Sequence, residues 1–278
     1  MRAFFALAAI CVLIFAAEYD SKPEKKIGVI RHMNVTEEAF EKVFNRIQSI
    51  DMDFDDENYR HIFFNSMNEM TAALQSGQID AFTTYEVVGK YLEAHNSNFE
   101  CFPHDAKIAD AFCCAMREND TALKKEFNDA IDEIIADGTL GKLVKIYIMD
   151  ANHNDQPEAI EMPKFPGNEY DEDYAPPIRI GVTGDLPPLD YVRPNGKPAG
   201  FNTAILAEIS KRMKRNFVIV PIDGGARAIA LTSKLVDVIF WVVVPTYDDF
   251  PIDIDKPKGI ILTDPYFTDE IVYVRLKK

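Results

Sequence analysis

Several short stretches carry side chains able to do chemistry. In GVTGDLPPLDYV (181–192), Asp185 and Tyr191 flank a Leu-Pro-Pro turn, and Phe201 follows in GKPAGF at the start of a helix. Trp241, the only tryptophan, ends VDVIFW (236–241). A lone tryptophan after a buried strand is either packing or the wall of a pocket. Arg227, in GGARAIAL, is either a solvated helix charge or a fork-shaped clamp for an anion. Arg31, His32 and Asn34 come directly after one apolar run, and Thr84, Tyr85 and Glu86 after another. Asp185, His32 and Glu86 are the groups able to move a proton. Each also has a plainer reading as a surface histidine or a solvated loop carboxylate. No Ser-His-Asp order, nucleophile elbow or metal-ligand spacing accompanies them, so no catalytic residue, metal or cofactor is expected.

These residues sit at the ends of alternating strand and helix signals. KKIGVI (25–30) reads as a buried strand, and EEAFEKVFNRI (37–47) places Phe40, Val43, Phe44 and Ile47 on one helical face. NSMNEMTAAL (65–74) repeats Met67, Met70, Ala73 and Leu74 at helical spacing, Gly77 stops it, and IDAF (79–82) opens a strand. AFCCAM (111–116) reads as another buried strand, followed by helices over 121–136 and 140–148. The logic then repeats: a strand at 178–182, helix 201–213, strand 217–221, short helix 226–231 and strand 236–244. KIGVI against RIGVT, and ALQSGQIDAF against ALTSKLVDVIF, mark the repeat. Each half therefore reads as an α/β lobe with a mostly parallel sheet.

The chain of 278 residues is long enough for one large domain or two lobes, and its net charge of -15 argues against nucleic acid or an anionic membrane as a main partner. Residues 1–17 hold an apolar run behind one Arg, too short to span a bilayer comfortably and suited to a signal peptide. Export to the periplasm or the extracellular space is expected, with an uncleaved, membrane-tethered amino terminus as the alternative. Cys101, Cys113 and Cys114 then remain: three buried thiols is the preferred reading, a bridge from Cys101 to one of the pair the alternative. Residues 149–177 lose all apolar period and gain Pro, acids and Asn, as a linker does.

On these motifs the chain resembles the type 2 periplasmic solute-binding proteins that serve amino-acid ABC transporters. Residues 178–278, with GVTGDLPPLDYV, VPIDGGARAIAL, VDVIFW and TDPYF, resemble the first lobe of that family. Residues 25–148, with ALQSGQIDAFTTYEVVGKYL and DGTLGKLVKIYI, resemble its second lobe and closing helices. The lobe order is thus inverted, which implies a circular permutation through the linker; a segment of a tandem protein and a swapped dimer are alternatives. The resemblance implies a hinged, two-lobed α/β fold closing on a ligand held by Asp185, Tyr191, Phe201, Trp241, Arg227, Arg31, Asn34, Thr84, Tyr85 and Glu86. It also implies delivery to an ABC permease. Two departures stand out. The family's carboxylate-clamping Arg is missing from WVVVPTYDDF (241–250), and Tyr85 stands where an acid usually takes the ligand's amino group. The expected ligand is a small polar molecule, an amino-acid derivative or an organic acid rather than a standard amino acid. A cyclohexadienyl-dehydratase-like enzyme and a ligand-free sensor or interaction module are the alternatives.

Overall fold

The computed structural model describes residues 24–33, 36–50, 59–103, 108–151, 160–167, 175–246 and 258–277. The expected signal peptide, Asn34 and parts of the 149–177 segment lie outside them.

The amino-terminal half runs β1 (Lys25–Ile30), α1 (Glu37–Ile50), β2 (Tyr59–Phe64), α2 (Met67–Gln75), β3 (Ala81–Tyr85), α3 (Glu86–His95) and β4 (Phe99–Pro103). It continues through β5 (Ala109–Arg117), α4 (Thr121–Ala136) and α5 (Thr139–Val144), which ends in a π turn at Lys145–Met149. The carboxyl-terminal half runs β6 (Ile178–Val182), β7 (Asp185–Leu186), β8 (Asp190–Val192), β9 (Pro198–Ala199), α6 (Phe201–Met213) and β10 (Phe217–Pro221). A 3-10 turn at Gly224–Ala226, α7 (Arg227–Thr232), β11 (Val238–Thr246), β12 (Ile260–Leu262) and β13 (Phe267–Leu276) complete it.

Local chemistry explains the elements that matter for the site. The hydroxyl of Ser66 accepts from the Glu69 N–H at 3.1 Å, which caps α2 and turns Met67, Met70, Ala73 and Leu74 into the core. Strand β1 is central because Ile27, Gly28 and Val29 are all buried. A side chain at Gly28 would meet Ile79 Cδ1 at 2.7 Å, and one at Gly181 of β6 would meet Ile239 Cδ1 at 2.8 Å. The glycine of the repeated IGV motif thus lets side chains from the neighbouring elements close over both strands.

The repeat is visible in the topology. Strand β1 lies between β2 and β3, and β6 between β10 and β11, each pairing parallel on both sides. Antiparallel strands join these two parallel wings in the order β10-β6-β11-β5-β13-β3-β1-β2. Strand β13 is the crossover: Phe267–Glu270 pairs with β5, whereas Ile271–Leu276 pairs with β3 or β4. Strand β5 pairs with β11 along Ala109–Ala115, and α4 packs on α6. The segment after β4, grouped by sequence with the amino-terminal half, therefore lies on the sheet of the carboxyl-terminal half. Part of the expected linker is also pinned there: the amide side chain of Asn216 accepts from the Phe165 N–H at 2.8 Å and donates to its carbonyl at 3.0 Å.

Candidate functional site

Trp241 sits at the point where the pairing of β11 with β5 slips by one residue, and its φ is +64°. For a large L-residue this is a strained, left-handed backbone, and such bulges re-aim a side chain. The indole lies 1% exposed between the two halves of the chain. Tyr85 meets it edge-on, with ring centroids 5.6 Å apart, and His32 at 5.7 Å. Phe112 of β5 closes the group, 4.7 Å from Tyr85. The indole Nε1, the Tyr85 hydroxyl and the Thr84 hydroxyl are buried without a hydrogen bond of acceptable geometry, although Asp110 stands beside Tyr85 and acts on its phenol.

Arg227 is also buried, with its guanidinium carbon 5.1 Å from the Trp241 ring centroid. Its Nη1 donates to the Trp241 carbonyl at 3.0 Å, Nη2 to the Arg31 carbonyl at 3.0 Å, and Nε to the Gly224 carbonyl at 3.3 Å. The three bonds satisfy the charge with neutral acceptors and tie the halves together. Arg227 is therefore not the solvated helix charge of one reading, and three of its five N–H groups are already engaged. Burial and the neighbouring guanidinium hold the His32 imidazole neutral, with its pKa lowered to about 3.

The other candidates separate into those at the junction and those away from it. Asp185 accepts at Oδ2 from the N–H groups of Met67 at 2.7 Å and Asn68 at 3.3 Å, so it binds the first turn of α2 across the junction. Burial raises its carboxyl above the usual range, with these amides opposing. Tyr191 pairs with Asp185 between β7 and β8, its hydroxyl buried without a partner and pushed up to about 12 by burial. Phe201 is fully buried against Phe267, ring centroids 4.9 Å apart, and belongs to the core. Arg31 pairs with Glu37 at 2.6 Å and Glu86 with Lys90 at 2.5 Å, both on the surface.

Beside this packed centre lies a cleft of about 260 Å³. Arg31, His32, Glu37 and Phe63 wall it from one half and Gly224 and Ala228 from the other. The Gly224 N–H donates to the Asn65 carbonyl at 3.3 Å, so the two walls touch at one edge.

Three acids of weight escaped the sequence reading. Asp190, 1% exposed, accepts from the Thr183 hydroxyl at 3.0 Å and the Gly184 N–H at 2.6 Å, and organises the turn between Asp185 and Tyr191. Asp110 and Asp269 lie buried on β5 and β13. An acid inside an apolar strand pattern, as in IADAFCCAM, was the available signal.

One family match falls within the carboxyl-terminal half of the chain, whereas the similar solved structures cover most of it. Residues 178–277 match the bacterial extracellular solute-binding proteins, family 3. The match spans little more than a third of the chain. No curated protein sequence matches the chain. Among solved structures, the ligand-binding component of an ABC-type import system from Staphylococcus aureus, with zinc bound, is similar at 12% identity and TM-score 0.45. That similarity covers 91% of this chain and 66% of that one, so this chain spans just under two thirds of its length. The VFT2 domain of BvgS from Bordetella pertussis is similar at 12% identity and TM-score 0.40, over 91% and 80% of the two chains. The alkanesulfonate-binding protein SsuA from Xanthomonas axonopodis pv. citri, bound to MOPS, is similar at 9% identity and TM-score 0.39, over 91% and 66%. At such identities and TM-scores they say nothing of what this chain would hold. Among the described residues, no helix is long and apolar enough to cross a membrane.

Proposed function

We propose that the protein is an exported solute-binding protein whose two halves close on a small polar ligand and hand it to an ABC importer. In this reading the two wings of the sheet, with β5 and α4 belonging to the carboxyl-terminal wing, are the lobes of the family, in an order permuted through residues 149–177. The observation that carries it is the orphaned Trp241 Nε1, buried against Tyr85 where the halves meet, beside a cleft walled by both. Unpaired buried groups of this kind are costly and cluster at binding sites.

The electrostatics narrow the ligand. Every nitrogen of Arg227 already donates to a carbonyl, His32 is neutral, and Arg31 is held by Glu37. Arg227 remains the one cation of these at the junction, largely engaged, whereas two acids, Asp110 and Asp269, lie close by. An uncharged or amine-bearing molecule therefore fits better than an organic acid. The dehydratase-like alternative has less behind it, because Asp185 is committed to α2 and Glu86 to Lys90.

The test is a metabolite panel read by Trp241 fluorescence and melting temperature. Neutral and amine-bearing compounds are expected to shift both, and Tyr85→Phe to weaken the response. A broad panel that moves neither would favour the ligand-free module, whose supporting observation is that Tyr85, Trp241 and Arg227 already fill the junction.

A further inference from the structure

The two strands that join the sheets carry a pair of aspartates that bear on the joint itself, with or without a ligand. Asp110 on β5 and Asp269 on β13 stand directly opposite each other in an antiparallel ladder. The next pair, Ala109 with Glu270, is the last one, and at Ile271 β13 passes to β3, opposite Tyr85. The pair thus lies one residue from the crossover. Opposed residues share a sheet face, so the two side chains are neighbours, and they are only 5% and 7% exposed.

Two carboxylates facing each other out of water do not both ionise cheaply. Burial raises both, Asp110 and Asp269 alike, to about 7. Their surroundings distinguish them. Asp269 accepts at Oδ2 from the Val87 N–H at 3.0 Å, in the first turn of α3, and at Oδ1 from the Glu270 N–H at 3.0 Å. A helix amino terminus favours the anion. Asp110 has the Tyr85 phenol from β3, which burial keeps protonated. The other groups acting on the pair are Glu86 and Lys90 from α3, paired with each other, and Cys101 from β4, whose thiol burial raises to about 11. On the β11 side Asp110 is opposite Pro245, which carries no charge.

We propose that Asp110 and Asp269 share one proton, carried on Asp110, and that its loss loosens the joint between the two sheets. With the proton in place, a neutral acid faces an anion; without it, two anions face each other beside the crossover. An aspartate freed by opening returns towards its ordinary pKa near 4, so opening releases the proton. Opening is then favoured as pH rises from about 4 to about 7 and becomes independent of pH above that.

Amide hydrogen exchange of the full chain without added ligand, between pH 5 and 8 and corrected for intrinsic rates, reads this directly. Protection of Val87, Glu270 and Ile271 is expected to fall by up to about tenfold per pH unit to pH 7 and then level off. Asp110→Asn should keep the high protection and lose the slope, while β2, remote from the joint, shows neither change. A flat wild-type profile, or the same slope in Asp110→Asn, overturns the proposal. If Asp110→Asn does not fold, Asp269→Asn is judged by the same slope. Because no ligand is used, failure here leaves the solute-binding reading standing.

Discussion

Replacing Arg227 with Met tests the junction most sharply. The change keeps the length and apolar stem of the side chain and removes the guanidinium. It deletes two bonds at 3.0 Å, to the Trp241 and Arg31 carbonyls, and one at 3.3 Å, to Gly224. Hydrogen bonds from a charged donor contribute about 1.5–3 kcal/mol each, and the contact with the indole about 2 kcal/mol when desolvated. Against this stands the cost of burying the cation, several kcal/mol, which Met does not incur. The expected net loss is about 3 kcal/mol, or roughly 6–12 °C in melting temperature for a chain of this size. Arg227→Lys should lose at least as much, because one ammonium group cannot span three carbonyls in a fixed fork. Urea unfolding followed by Trp241 fluorescence measures both variants, and the indole reports from the junction itself. If Arg227→Met stays within about 1 kcal/mol of the wild type, burial has cancelled the bonds and Arg227 is no tie between the halves.

Asp185→Ala should cost about 1–2 kcal/mol in urea unfolding by uncapping α2 across the junction, and Asp185→Asn less, since its amide oxygen still accepts from Met67. Gly224→Ala places a methyl carbon 2.7 Å from the Asn65 carbonyl oxygen, a backbone atom. The expected loss is about 1–3 kcal/mol, and hydrogen exchange should locate it at the contact between the Gly224 turn and Asn65; unchanged stability would mean that the walls part readily.

Much of the scaffold was readable because it depends on local pattern. Helix 201–213, strand 217–221 and helix 121–136 were expected with the boundaries that the structure gives. Gly77 lies just past α2, where the stop was expected, although α2 starts at Met67 rather than at residue 65. The two matched motifs predicted two equivalent wings, and β1 and β6 do take equivalent central places. Trp241 and Tyr85 were picked out as residue types, and they do meet, but nothing in VDVIFW announced the bulge that turns the indole inward. What stayed hidden depends on register between distant strands. That Asp110 faces Asp269 follows from the antiparallel pairing of β5 with β13, and no local pattern encodes that alignment. Arg227 was ambiguous for the same reason: its acceptors come from residues 31, 224 and 241.

The crossover strand also has a consequence for how the molecule is made. Phe82 of β3 pairs with Val274 of β13, a partner about 190 residues later in the chain. The wing formed by residues 25–103 emerges early in synthesis with the β3 edge still uncovered, and β5 waits likewise for Phe267–Glu270. Pairings between such distant segments form late and slowly, and open strand edges invite the wrong neighbour meanwhile. Truncation or stalling before β13 should therefore yield two unjoined sheets with sticky edges rather than a slightly shortened protein, and chaperone demand during expression should fall only once residues 267–276 have been released.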